Sequence, residues 1–226
     1  NGMSAFDDLM AFQRQTEALA QVAGRLGWDQ ETVMPDGSAA QRAEEIGALE
    51  AVLHARRTDP RIASWLEAAD AEAAGPDSVQ AAQLRLIRRS HARTLKIPAR
   101  LAEEIATVTS LAQGVWADCR AREDVAGFLP TLARVVALKR EEAAALAEGG
   151  DPYDALVDDY EPGMTGADIA AMFDAMRPRL VALRGRILGS APPKGISGTF
   201  GREGQLALSR EVATVFGYDW SRGRID

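Results

Sequence analysis

Residues 165–188 read Thr-Gly-Ala-Asp-Ile-Ala-Ala-Met-Phe-Asp-Ala-Met-Arg-Pro-Arg-Leu-Val-Ala-Leu-Arg-Gly-Arg-Ile-Leu. Ile169, Met172, Phe173, Met176, Leu180, Leu183 and Ile187 recur at steps of three and four, the spacing that puts side chains on one face of a 3.6-residue helix. Thr165 stands three residues before Asp168, close to a capping box, so the helix has a defined start. Pro178 lies inside it, removes one backbone donor and predicts a kink. A stripe of seven large apolar residues needs cover, and the cover predicted here is a neighbouring helix or a second copy of the chain, with self-association expected through this helix or the tail from Tyr218 to Asp226.

The same period recurs on both sides. Downstream, 189–204 holds glycine, proline and serine without periodicity and reads as a long loop, followed by a helix over about 203–216 that ends at Gly217. Residues 218–226 carry no further periodic element. Upstream, 151–163 is short, acidic and aromatic, and a helix over about 128–146 stops at Gly149-Gly150. Before it, Leu101, Ile105, Val108 and Val115 mark a helix that Pro98 can open. Leu84, Ile87, His91 and Leu95 mark another after Gly75-Pro76. Ile62, Trp65, Leu66 and Ala69 define a helix after Pro60, and Ile46, Leu49 and Leu53 one from about Ser38. The first helix runs over about 6–26, after which Gly27 to Gly37 reads as a turn. Short links predict antiparallel neighbours. The expected class is all-α, an antiparallel multi-helix bundle.

Composition agrees. The chain has 226 residues, 46% hydrophobic and only 6% aromatic, which supports a packed core built from helices rather than strands. A net charge of −7 opposes binding to nucleic acid or to anionic membranes. The single cysteine, Cys119, cannot form an internal disulfide, and its place on the stripe Val108, Leu111, Val115 predicts a packed thiol. No apolar run is long enough to span a bilayer, and a cytoplasmic protein is expected. Met3 reads as the natural start, with Asn1 and Gly2 left by an expression tag, so the fold is assigned to 3–226.

Three segments carry a resemblance. The first is Leu26-Gly27-Trp28-Asp29-Gln30-Glu31-Thr32-Val33-Met34-Pro35, followed by Arg42 and His54. The second is Tyr153-Asp154-Ala155-Leu156-Val157-Asp158-Asp159-Tyr160-Glu161-Pro162-Gly163-Met164-Thr165. The third runs from Gly217-Tyr218-Asp219 to Gly223-Arg224-Ile225-Asp226. In order and spacing these are similar to the amino-terminal part of the carboxypeptidase Taq family of zinc metallocarboxypeptidases, with Ile97-Pro98 and residues 116–122 fitting between them. The resemblance implies a larger, mostly helical peptidase fold with a deep groove. It also implies a homodimer, peptide substrates and release of single amino acids from peptide carboxyl termini. The zinc, or another divalent metal, would belong to the intact enzyme. Trp28, Asp29, Gln30, Glu31, Arg42, Tyr153, Asp154, Asp158, Tyr160, Glu161 and Gly163 are signature positions, taken as structural.

The family's zinc site is a His-Glu-x-x-His helix plus a later glutamate. Here the only histidines are His54 and His91, and neither is followed by glutamate. No catalytic or metal-binding residue is therefore assigned, and the chain alone is expected to be inactive. His54, four residues after Glu50, reads as one half of a surface ion pair, and His91 as a hydrogen-bonded core residue. Trp28 to Glu31 read as a buried turn, with Trp28 and Tyr160 anchoring loops to the core. Asp154, Asp158, Asp159 and Glu161 lack the ligand pattern of a calcium loop and read as caps and ion pairs. Arg85, Arg88, Arg89, Arg93 and Lys96 read as a solvated helix face. The glycines 198, 201 and 204 follow no strand and do not make a dinucleotide loop. Two other functions compete: a non-catalytic helical interaction module, and a small-ligand domain with its pocket near 189–204.

Overall fold

The computed structural model describes residues 4–72 and 75–225, so the readings of Asn1, Gly2, Met3 and Asp226 lie outside the described residues. Among them are nine α-helices, one short 3-10 helix and no strand, the all-α class expected. Among the described residues no helix is long and apolar enough to cross a membrane. The chain divides into two compact units, one through Ala170 and one from Ala171.

In the first unit, α1 (Ala5–Thr32) starts at Ser4, whose hydroxyl accepts from the Asp7 amide at 3.1 Å while Asp7 reaches back to the Ser4 backbone. The turn read at Gly27 is not there: α1 continues through Gly27, Trp28, Asp29, Gln30 and Glu31. A helical glycine costs about 1 kcal/mol relative to alanine, which long-range bonds onto this last stretch offset. Asp36–Ser38 then forms the 3-10 turn, and α2 (Ala39–Arg57) and α3 (Arg61–Glu72) follow. The link between α2 and α3 does not make them close partners as expected; α3 packs mainly on α1 and on α4 (Val79–Leu95). Leu9, Phe12, Ile62, Leu66, Ala69 and Leu84 from these three helices form a buried core.

Next, α5 (Ala99–Ala121) lies along α2, and α6 (Val125–Ala147) along α5. Gly47 sets the α2–α5 approach. A methyl group there would sit 2.3 Å from the Thr107 hydroxyl, well inside van der Waals contact. α6 ends at Ala147, two residues before the predicted glycine pair, with Glu148 between them left-handed at φ 49°. A short helix that periodicity did not reveal, α7 (Pro152–Val157), packs on α6. Asp151 caps it by accepting from the Tyr153 amide at 2.7 Å, and Pro152 takes the first helical position, where no amide is needed.

Across the boundary runs α8 (Gly166–Leu188), opened by the predicted pair: Asp168 accepts from the Thr165 amide at 3.0 Å and donates its own amide to the Thr165 hydroxyl at 3.1 Å. Pro178 lies within it without ending it. The second unit holds most of α8, then α9 (Arg202–Val215) and the segment after it. That segment, read as featureless, is tied to α9: the Trp220 indole donates to the Thr214 hydroxyl at 2.9 Å, and Tyr218 meets Trp220 edge-on.

Candidate functional site

Two of the signature segments are wired into the first unit by arginines from other helices. Arg42 on α2 donates to the Asp29 carboxylate at 2.6 Å, to the Leu26 carbonyl at 2.5 Å and to Glu45 at 3.1 Å. The bond to Asp29, more than any other contact, makes the Arg42 guanidinium hold its proton more firmly than usual. Gln30 donates to the Ser110 carbonyl at 2.8 Å and accepts from the Ser110 hydroxyl at 3.0 Å, a reciprocal bond joining the end of α1 to α5. These contacts place Glu31 on the rim of a concavity of about 900 Å³, with Asp36, Val115, Asp118, Arg122 and Asp124 among its lining. Asp118 and Arg122, one turn apart at the end of α5, pair on that rim at 2.7 Å. Cys119 is buried at its edge.

The second segment is held by the run of basic residues on α4. Asp158 accepts from Arg89 at 2.6 Å and Arg93 at 3.2 Å, Asp159 from Arg93 at 2.7 Å, and the Ala155 carbonyl from Arg93 at 2.6 Å. Arg88 pairs with Asp70, and Lys96 with Glu148. At Arg89 and Arg93 the predicted solvated face is corrected to a docking face for α7 and the loop after it, while Arg85, Arg88 and Lys96 stay exposed. Gly163, with φ 83°, turns its amide onto Asp158 at 2.9 Å, a backbone state that a side chain would strain. That amide first, then Arg89 and Arg93, holds the Asp158 carboxyl below the usual range. Asp154 accepts from the Gly166 amide at 2.7 Å and fixes the start of α8.

The signature therefore divides. Arg42, Asp29, Gln30, Asp154 and Asp158 bond to other elements of the first unit, and Gly163 bonds locally to Asp158. Trp28, Glu31, Tyr153, Tyr160 and Glu161 are exposed. Trp28 is helical and 43% exposed and Tyr160 is 86% exposed, so the buried turn and the aromatic anchors predicted for them are corrected.

His54 is corrected as well. Its Nε2 bonds the Ile97 carbonyl at 2.7 Å in a nearly closed site, while Glu50 pairs with Arg57 at 3.3 Å. Burial raises the Glu50 carboxyl above its ordinary value. His91 is a core residue as predicted, with Nδ1 2.7 Å from the Arg57 carbonyl. Each histidine thus spends one ring nitrogen on a main-chain carbonyl. Among the described residues no group of three or more His, Cys, Asp or Glu side chains is placed to hold a metal, so the residues present do not fit the family's zinc. Near the 189–204 loop, Leu183, Arg186, Ile187, Leu188, Ser190 and Pro192 border a recess of about 560 Å³.

The fold is that of the helical metallocarboxypeptidases. The chain matches metallocarboxypeptidase 1 of Trypanosoma cruzi at 31% identity and a TM-score of 0.73, over 98% of its own length and 46% of that chain. It matches the crystal structure of BsuCP at a TM-score of 0.85 and 22% identity, over 98% of its length and 45% of that chain, a likeness of fold. In sequence it is 38% identical over 237 residues to thermostable carboxypeptidase 1 of Thermus thermophilus, across 99% of this chain and 46% of that protein. The carboxypeptidase Taq (M32) metallopeptidase model matches residues 8–226, and the chain belongs to that family. It spans about half the length of the relatives it matches.

Proposed function

We propose that this chain is the amino-terminal portion of a metal-dependent carboxypeptidase that releases single amino acids from the carboxyl termini of peptides, and that it is inactive alone. The observation that carries this reading is the family match across residues 8–226 of a chain with only two histidines, each already bonded to a carbonyl. The zinc, or another divalent cation, is then held by a His-Glu-x-x-His helix and a later glutamate outside these 226 residues. This portion supplies a wall of the peptide groove. Asp29, Gln30, Arg42, Asp154, Asp158 and Gly163 are read as structural pins, and Trp28, Glu31, Tyr153, Tyr160 and Glu161 as surface left for substrate or for the rest of the enzyme. The intact enzyme is read as a homodimer, as the family resemblance implies, and as cytoplasmic.

The test is direct. The purified chain should carry no stoichiometric zinc by elemental analysis and release no amino acid from an N-blocked dipeptide. Tight zinc, or release that a chelator stops, would overturn the reading. A second reading, a non-catalytic interaction module, draws on the exposed apolar surface of residues 171–225. It wins if the source reading frame ends at Asp226 without a His-Glu-x-x-His.

A further inference from the structure

We infer that the recess between α2, the end of α4, α5 and α6 is a binding site for a free α-amino acid with an aliphatic side chain. Glu50, His54 and Arg57 follow one another at steps of four and three on α2, so they share one face of that helix. They line a recess of about 290 Å³ together with Ile97, Ile105 and Glu142. A space of this size suits a small ligand rather than a peptide. All of these residues belong to the first unit, and His54, 7% exposed, is fixed by its bond to the Ile97 carbonyl.

The lining selects the ligand by charge. Arg57 donates to Glu50 at 3.3 Å, longer than the roughly 2.7–2.9 Å of a close charge-assisted bond, and this spends only part of the donor capacity of a guanidinium. Burial raises the Glu50 carboxyl above its ordinary value, against the opposing pull of Arg57 and then His54, so the fold leaves its charge incompletely compensated. Glu142, 14% exposed, has its cation in Lys139. A simple anion entering here meets two carboxylates, and a simple cation meets Arg57. A zwitterion suits both signs at once. An α-amino acid carries its ammonium and its carboxylate on either side of a single carbon, so it can offer the first to Glu50 and the second to Arg57, inserting into a pair that is already long. Its side chain then lies against Ile97 and Ile105. A peptide bond at either end would remove one of the two charges, which excludes peptides by the same chemistry. The place of this site in an enzyme rests on the reading above, in which free amino acids are the product released; the binding itself does not.

The probe is labelled L-leucine, dialysed to equilibrium against the purified 226-residue chain. Saturable binding of one leucine per chain is expected, with N-acetyl-L-leucine, which lacks the ammonium, and L-leucine methyl ester, which lacks the carboxylate, each at least tenfold weaker. Glu50→Gln and Arg57→Met should each weaken leucine binding at least tenfold without changing the circular dichroism, and Arg120→Gln, at an exposed position on α5, should leave it unchanged. If a variant unfolds, the two blocked forms tested on the parent chain decide. The inference is overturned by the absence of saturable binding, by a blocked form that binds as tightly as L-leucine, or by two folded variants that keep the parent's affinity. Because dialysis needs neither metal nor turnover, failure here leaves the carboxypeptidase reading standing, while amino acid release by the chain alone would overturn that reading and leave this site standing.

Discussion

At Arg42 one side chain, 12% exposed, satisfies a carboxylate, a helical carbonyl and a second acid. Removing it leaves Asp29 and the Leu26 carbonyl without their donor, and a charged hydrogen bond of this kind contributes about 1.5–3 kcal/mol. Arg42→Ala should therefore cost about 2–3 kcal/mol by urea denaturation, and Arg42→Lys should recover little, because an ammonium cannot span all three acceptors. Tyr160 is the contrasting case. With its ring in solvent, Tyr160→Ala should change stability by no more than about 0.5 kcal/mol; a loss of several kcal/mol would mean that the ring is packed. Among the carboxylates, Arg61 holds Asp59 at about 2 and the Gly163 amide holds Asp158 below its ordinary value. Between those folded values and the ordinary one, near 3.9, the unfolded chain binds more protons, so stability rises with pH there. It is fully present above that window and is lost as pH falls through the folded values. In acid unfolding, Asp158→Asn should flatten part of that slope, and an unchanged slope would show that Asp158 is not held in this way.

At the level of elements, the clearest junction is between α1 and α5, where Gln30 and Ser110 exchange two bonds across 80 residues of sequence. A double-mutant cycle of Gln30→Ala and Ser110→Ala should give a coupling of about 0.5–1.5 kcal/mol, whereas additivity would mean that the helices meet without it. The same junction explains which elements could be read from sequence. The start of α8 was legible because Thr165 and Asp168 are three residues apart and their bonds are local. The core place of His91 was legible because it shares the period of Leu84 and Ile87. The last turns of α1 were not: Gly27 and Pro35 signal a turn, and what keeps the helix going comes from Arg42 and Ser110. Likewise Arg89 and Arg93 looked like a solvated face because Asp158 and Asp159 lie more than 60 residues away. Only α7 was missed despite a local signal, the Asp151-Pro152 start.

For the whole molecule, the two units differ in what holds them. The first has a buried core shared by α1, α3 and α4, and the second has helices but no buried residue among those described. Backbone amides open locally where little apolar surface is packed over them. Hydrogen exchange followed by mass spectrometry should therefore show α9 exchanging orders of magnitude faster than α1 or α4, and equal protection would mean that residues 171–225 are covered in solution. The resemblance identified the family and the absence of a zinc motif, yet which signature residues bond inward and which stay exposed was not legible, because exposure depends on partners distant in sequence.

Cys119 lies buried at the edge of the concavity bounded by the end of α1 and by α5. As the sole thiol in the chain, only 7% exposed, it is a built-in clock for the packing around it: a disulfide reagent reacts faster the more often that packing opens. The labelling rate then counts openings one molecule at a time, and releasing the last turns of α1 with Arg42→Ala should make the clock run faster, even under conditions where the bulk of the protein stays folded.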